Sequence, residues 1–320
     1  MRSKLALLFG LVLAASSPGR TSAQTASAPE NFKVTLLGTG TPIPSIDRFG
    51  PSTLVEVGNQ RLLFDVGRGA TIRLAQARVP LRDISAMFLT HFHSDHVNGL
   101  SDLWLTGWLP GEFARRITAF CIYGPTGTRE MMSHLERAHQ ADIRIRMADE
   151  NLLASGVEID ATDVTEGIVY DRDGVRVTAF DVDHGELIKP ALGYRVDFRG
   201  RSVVVSGDTR FSPNLIKHAK GADVIVHEVM AAADALLAQS EAVRLVMAHH
   251  TSPEQAGRVF AEVQPRLAVY SHIILLRVSS DDLIRRTRTA YAGALEIGGD
   301  LMTIEVNDVP RVIRPDTAPR

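Results

Sequence analysis

The sequence predicts a layered α/β fold in a single domain. Apolar runs of strand length alternate with helical segments along most of the chain, as is typical of sheets covered by helices. The composition is that of a soluble globular protein, with 45% hydrophobic and 22% charged residues among 320. No long linker, low-complexity tract or block of like charges divides the chain. We therefore predict one domain over residues 31–312, a length that allows a large core.

Each predicted element has a local cause in the sequence. Strands are predicted where short apolar runs lie between turn residues, and the turn at residues 171–174 joins two of them in a hairpin. Ser252, Pro253 and Gln255 have the spacing of a capping box, so a helix is predicted to begin there. The other predicted helices are 70–77, 127–141 and 280–291, and the predicted strands are 32–37, 52–57, 61–65, 84–89, 167–170, 175–181, 193–198, 202–206, 224–227 and 267–271.

The first 23 residues are predicted to be a cleavable signal peptide. Arg2 and Lys4 precede an apolar run at residues 5–15 that is too short to span a bilayer in a mature protein. Small residues at 21–23 offer a cleavage site. We therefore expect a periplasmic or secreted protein without a membrane partner; a membrane anchor and a cytosolic chain are the alternatives.

Charge and cysteine content narrow the function classes. The net charge of −2 gives no electrostatic footprint for nucleic acid, which usually needs a basic face, although a local basic groove stays open. Cys121 is the only cysteine and lies in an apolar run, so it is predicted to be a small core residue rather than a nucleophile.

Three histidines and an aspartate lie within six positions, directly after the apolar run at residues 84–89. His91 and His93 leave the strand end on the same side, because side chains alternate with period two. Asp95 and His96 follow in the next turn. Imidazole and carboxylate groups are the ligands that zinc prefers where a site stays open to water. The segment therefore predicts a metal site.

Three later apolar strands are also followed by a residue that could bind a metal. These residues are His184, Asp208 and His272. A single histidine or aspartate at a strand end is usually a cap or turn residue. Together with the first histidine motif, however, the three favour one metal site at which several strand ends meet.

The combined motifs resemble those of the metallo-β-lactamase superfamily and, within it, the branch of ribonuclease Z and arylsulfatase-like proteins. The resemblance covers nearly all of the chain after the signal segment. It implies a four-layer αββα sandwich, with two sheets packed together and helices outside. It rests on residues 36–42, 63–69, 91–96, 184–185, 193–195, 206–210, 227–228, 250–252 and 272.

The same resemblance implies a site for two zinc ions, although other divalent metals stay open. Asp65 would support the site by orienting a ligand imidazole. Two adjacent ions sharing a hydroxide provide a nucleophile at neutral pH. By resemblance, His91, His93 and His184 hold one ion, Asp95, His96 and His272 hold the other, and Asp208 bridges them.

Two residues are expected to act in catalysis. Asp95 can orient the nucleophile as well as bind metal. His250 is the candidate proton donor to the leaving group, with Glu228 orienting it; the alternative is a structural residue that precedes a helix. Trp104 and Trp108 would share one face of a helix. They could line a substrate pocket, pack in the core or form a dimer contact, and we assign them no role in the site.

The branch contains tRNA 3′-end nucleases, aryl sulfatases, small phosphodiesterases, lactonases and lactamases, and fold alone does not choose among them. Three features weigh against tRNA. The export signal separates the protein from tRNA, only residues 196–205 lie where the nucleases commonly carry a long arm, and Arg68 replaces their usual acidic residue. Similarity around the two tryptophans favours arylsulfatase-like members.

We therefore expect an exported dinuclear zinc hydrolase of small sulfate or phosphate esters, of arylsulfatase or phosphodiesterase type. Its partner would be a small-molecule ester and not a nucleic acid, and a homodimer is left open. One alternative is a lactamase or lactonase. Another is a ribonuclease Z-like phosphodiesterase acting on RNA. A third is a metal-binding protein without hydrolytic activity, which the complete ligand set disfavours.

Overall fold

Two β-sheets lie at the centre of the protein, for which the computed structural model describes residues 31–315. One sheet has eight strands: β1 (Phe32–Gly38), β2 (Ser52–Val57), β3 (Gln60–Phe64), β4 (Ala86–Phe88), β5 (Phe120–Pro125), β6 (Ile159–Val164), β14 (Thr303–Glu305) and β15 (Arg311–Ile313). The other has seven: β7 (Gly167–Arg172), β8 (Val175–Asp181), β9 (Leu192–Phe198), β10 (Arg201–Val205), β11 (Val224–Ala232), β12 (Leu267–Leu276) and β13 (Leu295–Ile297).

Parallel pairing in both sheets brings several strand ends to one edge. The strand order is β15-β14-β1-β2-β3-β4-β5-β6 in the first sheet and β13-β12-β11-β10-β9-β8-β7 in the second. Strands β3 to β6 are parallel to one another, and so are β10 to β13. Because parallel strands end on the same side of a sheet, residues that follow β3 and β4 lie at one edge of the first sheet. Residues that follow β10 lie at an edge of the second sheet, and the two edges together can form one site.

The helices are α1 (Ala70–Gln76), α2 (Ser94–Val97), α3 (Leu100–Trp108), α4 (Thr128–Asp149), α5 (Pro213–Ala219), α6 (Asp234–Gln239), α7 (Glu241–Met247), α8 (Pro253–Val263) and α9 (Ser280–Thr287). Helix α8 begins with the predicted capping box, in which Ser252 and Gln255 each accept from the other's backbone N–H. Within residues 31–315, no helix is both long and apolar enough to cross a bilayer.

Three apolar clusters show that the protein has four layers. One cluster lies between the two sheets, one between the first sheet and helices α1, α3 and α4, and one between the second sheet and helices α5, α8 and α9. At the centre, Tyr194 packs 5.5 Å from the rings of both Phe64 and Phe88, and its hydroxyl donates to the Leu89 carbonyl. The αββα sandwich predicted from the sequence is therefore confirmed.

The tryptophans belong to this core and not to a substrate pocket. Trp104 and Trp108 are both buried on α3, and their indole N–H groups donate to the carbonyls of Val157 and Leu153 at 2.9 Å. Both rings therefore have their polar atom satisfied inside the apolar layer.

The predicted signal peptide, residues 1–23, lies outside the described residues.

Asp300 ties the loop between β1 and β2 to the body of the protein. Its carboxylate accepts from the backbone N–H and hydroxyl of Thr39, from the backbone N–H of Phe49, and from Arg73 of α1. The side chains of Arg73 and Asp300 are only 10% and 4% exposed. The buried carboxylate of Asp300 thus holds both ends of the loop between β1 and β2 and pairs with Arg73.

We expect Asp300→Ala to lower the free energy of unfolding by about 3–5 kcal/mol, because it leaves the Arg73 guanidinium buried without a carboxylate. Urea denaturation followed by circular dichroism measures this. The control is Arg285→Ala, which breaks an exposed ion pair with Asp282 and should cost less than about 1 kcal/mol. Equal costs for the two variants would contradict the role assigned to Asp300.

Candidate metal centre

Four candidate ligands come from the segment that follows β4. His91 and His93 lie in the chain between β4 and α2, and Asp95 and His96 lie in α2 itself. The side chains of His91, Asp95 and His96 are buried, whereas His93 is exposed. The backbone N–H of Val66 donates to the His96 carbonyl, so the loop after β3 packs against this segment.

Asp65, at the end of β3, fixes the orientation of two imidazoles. Its carboxylate accepts from the backbone N–H and the hydroxyl of Thr90, both at 2.8 Å, and lies 2.7 Å from Nδ1 of His96. The Thr90 hydroxyl lies 2.9 Å from Nδ1 of His91. Nδ1 of each histidine donates a proton in these contacts. The Nε2 atoms are therefore the ones that can bind a metal, as in other metal-binding histidines.

The second sheet contributes the other three candidates. His184 follows β8 and Asp208 follows β10, as predicted, but His272 lies inside β12 and not after its end. A φ of +44° at His272 interrupts the alternation of the strand and places Nε2 3.1 Å from the Asp95 carboxylate. His184 donates from Nδ1 to the His249 carbonyl at 2.9 Å, which leaves its Nε2 for the site.

Four of the imidazoles converge on one oxygen of Asp208. Its Oδ2 lies 3.3 Å from Nε2 of His96, 3.4 Å from that of His272, 3.8 Å from that of His184 and 3.9 Å from that of His91. The ligand atoms form two adjacent groups, each within 4.8 Å: His91, His93, His184 and Asp208 in one, and Asp95, His96 and His272 in the other.

The donor set fits metal ions. Nε2 of His91 and Nε2 of His96 are buried without a hydrogen-bond partner among the described residues. Such unsatisfied nitrogens are uncommon in proteins and call for an explanation. Imidazole nitrogens and carboxylate oxygens pointed at a common centre are suitable ligands for Zn²⁺ or a similar divalent ion.

Burial and charge set the protonation of these groups. Burial lowers the pKa of His91 well below its usual range and that of His184 to about 4, so both imidazoles are neutral and able to bind metal. Burial alone would raise the pKa of Asp208, but the surrounding histidines hold it well below the usual value. Burial also lowers the pKa of His96, but Asp208 and Asp65 outweigh this and raise it, so a bound cation would displace a proton there.

His250 lies beside the ligands, held by a buried glutamate. Glu228 of β11 accepts from the backbone N–H of Thr251 at 2.7 Å, and its other carboxylate oxygen lies 3.1 Å from Nδ1 of His250. The His250 ring is 5.2 Å from that of His184. Burial lowers the pKa of His250, but the Glu228 carboxylate outweighs this and raises the pKa to about 9. The geometry matches the predicted pairing of Glu228 with His250.

A cleft of about 460 Å³ opens above the candidate ligands. Its lining combines polar side chains, among them His93, Asp95 and Asp208, with apolar side chains that include those of α7 and of the end of β12. The sequence did not predict this apolar part. The available signal was the spacing of Ala242, Val243 and Val246, which share one face of a helix.

Comparison with known proteins identifies the family. The family described as "Beta-lactamase superfamily domain" matches residues 60–273. "Ribonuclease Z" of Mycobacterium marinum is 36% identical over 278 residues, covering 86% of this chain and 99% of that protein. The same enzyme of Mycolicibacterium gilvum is also 36% identical, with 86% and 96% covered. The chain belongs to the ribonuclease Z branch of the metallo-β-lactamase superfamily.

Solved structures support the fold of this branch. The metallo-β-lactamase fold protein YhfI from Bacillus subtilis superposes with a TM-score of 0.66 at 19% identity, covering 85% of this chain and 98% of that one. The short form of human tRNase Z superposes with a TM-score of 0.64 at 21% identity, covering 86% and 99%. At such low identities the likeness shows the fold alone.

The comparisons correct two predictions. The main functional prediction, a hydrolase of small sulfate or phosphate esters, is wrong, because relatives similar over almost their whole length are ribonucleases Z. For the same reason, the prediction of a small-molecule partner in place of nucleic acid is wrong. Membership of this superfamily together with the ligand clusters supports a metal-dependent hydrolase. It gives no support to the arylsulfatase type.

The features that suggested small esters are local. The two-residue turn Arg199-Gly200 joins β9 to β10, so the connection is as short as the sequence indicated, and Arg68 is exposed. The two tryptophans are core residues and say nothing about the substrate. A likeness over 278 residues outweighs such single differences.

We expect Asp65→Asn to weaken metal binding about 10–100-fold, since the amide would present N–H groups where His96 needs an acceptor. The substitution keeps the size of the side chain. Competition with a zinc-binding dye measures the affinity, and Asp102→Asn, which changes a carboxylate bonded to Thr106 of α3, is the control. Wild-type affinity in Asp65→Asn would contradict the role of Asp65.

Proposed function

We propose that this protein is a dinuclear zinc phosphodiesterase that cleaves RNA. The observation that carries the proposal is the complete ligand set around Asp208, in a chain that is 36% identical to ribonucleases Z over 278 residues. Two divalent ions bound here would supply an activated water molecule and neutralise charge on the scissile phosphate.

The residues of each sheet have distinct parts in this proposal. His91, His93 and His184 would hold one ion, and Asp95, His96 and His272 would hold the other. Asp208 belongs to the first group, and its Oδ2 lies 3.3 Å and 3.4 Å from Nε2 of His96 and of His272 in the second. Asp65 and the His249 carbonyl keep the ligand imidazoles in the tautomer that binds metal. These hydrogen bonds would therefore hold the ligand atoms in place when the ions bind.

Asp95 and His250 handle protons. Asp95 lines the cleft, so its carboxylate can accept a hydrogen bond from the attacking water and orient it. His250 lines the same cleft, and its Nδ1 is held by Glu228, so Nε2 is the atom that can give a proton to the leaving oxygen.

Export remains a prediction from the sequence, and cell fractionation would test it.

We expect the zinc-loaded full chain to cleave a tRNA precursor with a 3′ extension in a reaction that a chelator stops and zinc restores. Asp208→Ala should lower kcat/KM by more than about 100-fold, since loss of even an outer partner of a ligand costs about 10–100-fold. Asp171→Ala, on the exposed β7–β8 hairpin, is the control. Failure of the zinc-loaded protein to cleave any RNA offered would refute the proposed function.

We expect His250→Ala to slow RNA cleavage by about 10²–10⁴-fold, the usual contribution of a general acid. Hydrolysis of bis-p-nitrophenyl phosphate should fall far less, because nitrophenolate leaves without a proton. Rates for both substrates are measured on the same zinc-loaded preparation, and metal content is determined for each variant. An equal loss on both substrates would rule out proton donation by His250.

A further inference from the structure

Most of the cleft beside the candidate ligands is apolar. Its apolar wall consists of Val243 and Val246 on α7 and of Leu275 and Leu276 at the end of β12, together with Met230 on β11 and Ile274 on β12, which are buried. Helix α7 has no fully buried residue, and Val246 is 42% exposed. Contiguous exposed apolar surface in a catalytic cleft usually marks a place where a ligand binds.

The charges around the cleft restrict what this ligand can be. Among the described residues that line it there is no lysine or arginine; its polar groups are histidines, Thr41, Asp95 and Asp208. A second phosphate group next to the apolar wall would be desolvated without a cation to pair with, which is costly. The wall therefore suits an uncharged, flat and largely apolar group.

The position of the wall restricts the ligand further. The wall lines the same cavity as His93, Asp95 and Asp208. A phosphate bound to metal ions at these residues would therefore have its nearest substituent beside the wall. A volume of about 460 Å³ lies in the range of pockets for single small ligands. One nucleoside fits such a space, whereas a base-paired stem does not.

We propose that the apolar wall binds the unpaired base of the nucleotide next to the scissile phosphate. This inference rests on the proposed RNA cleavage and adds the part of the substrate that the cleft selects. The segment after α7 supports it, because His249 accepts from the ligand His184 and His250 follows directly. A base seated against Val246 thus contacts a residue that lies three and four positions before His249 and His250 in the chain.

The test uses RNA in which one nucleotide next to the scissile phosphate is replaced by an abasic ribose, on the 5′ side in one substrate and on the 3′ side in another. We expect kcat/KM for one abasic substrate to be about tenfold lower than for the complete RNA, mainly because KM rises. A decrease of this size corresponds to the loss of one buried apolar contact. The other abasic substrate should be cleaved normally.

The double variant Val243→Ser and Val246→Ser removes the apolar face without adding charge. It should lower kcat/KM for complete RNA about tenfold and leave the sensitive abasic substrate unchanged within about twofold. Leu245→Ser is the matched control, because Leu245 lies on the same helix, is 59% exposed and does not line the cleft. Melting temperatures verify that all variants are folded.

Each other outcome overturns the proposal in a recognisable way. If both abasic substrates are cleaved as fast as the complete RNA, the wall does not bind a base, and the proposed function still stands. The same holds if Leu245→Ser and the double variant lose activity equally. If sedimentation shows that the double variant turns a dimer into a monomer, with equal losses on all substrates, the wall is a contact between copies. Absence of all RNA cleavage overturns the proposed function and this inference with it.

Discussion

The convergence of histidine nitrogens on one oxygen of Asp208 is the constraint on which the rest of the structure depends. Four Nε2 atoms lie 3.3–3.9 Å from that oxygen, and they come from both sheets. Leaving a buried nitrogen unsatisfied costs about 1–3 kcal/mol. Such a cluster is retained only where the sandwich around it is stable, which the buried rings of Phe64, Phe88 and Tyr194 between the sheets provide.

The cleft combines a rigid half with a lightly packed half. The ligands lie in α2, in β12 and in segments that follow strands, and hydrogen bonds such as that of His96 to Asp65 hold them in the fixed geometry that metal binding needs. Helix α7, in contrast, has no fully buried residue. Few buried contacts mean low local stability, so this half can adapt to a substrate without disturbing the ligands.

The sequence predicted the parts of the protein whose causes are local. The histidine motif after β4 and the capping box of α8 depend on neighbouring residues, and both are found as predicted. His272 was predicted as a ligand but assigned to a strand end, because a positive φ inside a strand depends on packing that the sequence does not show.

Elements shaped by distant contacts escaped prediction. Helix α7 was missed because it is only seven residues long and its apolar residues do not form a buried face, since Val246 lines a cleft and Leu245 lies on the exposed side. Strands β13, β14 and β15 have three residues each, and only their partners in the sheets make them strands. The seven candidate ligands, which the resemblance named, lie close together in the structure, while the apolar wall beside them was not predicted.

The error about nucleic acid has a physical cause. A net charge of −2 gives no electrostatic footprint for nucleic acid, but net charge describes the whole surface and not the field inside one cleft. Two divalent cations would bring four positive charges to a site with three nearby carboxylates, Asp65, Asp95 and Asp208, so even with a shared hydroxide the centre would no longer be negatively charged. Attraction for the scissile phosphate then comes from the metal centre itself. The near-neutral surface instead limits how much of the remaining RNA backbone is bound, which gives the uncharged contacts beside the metals a larger share in selecting the substrate.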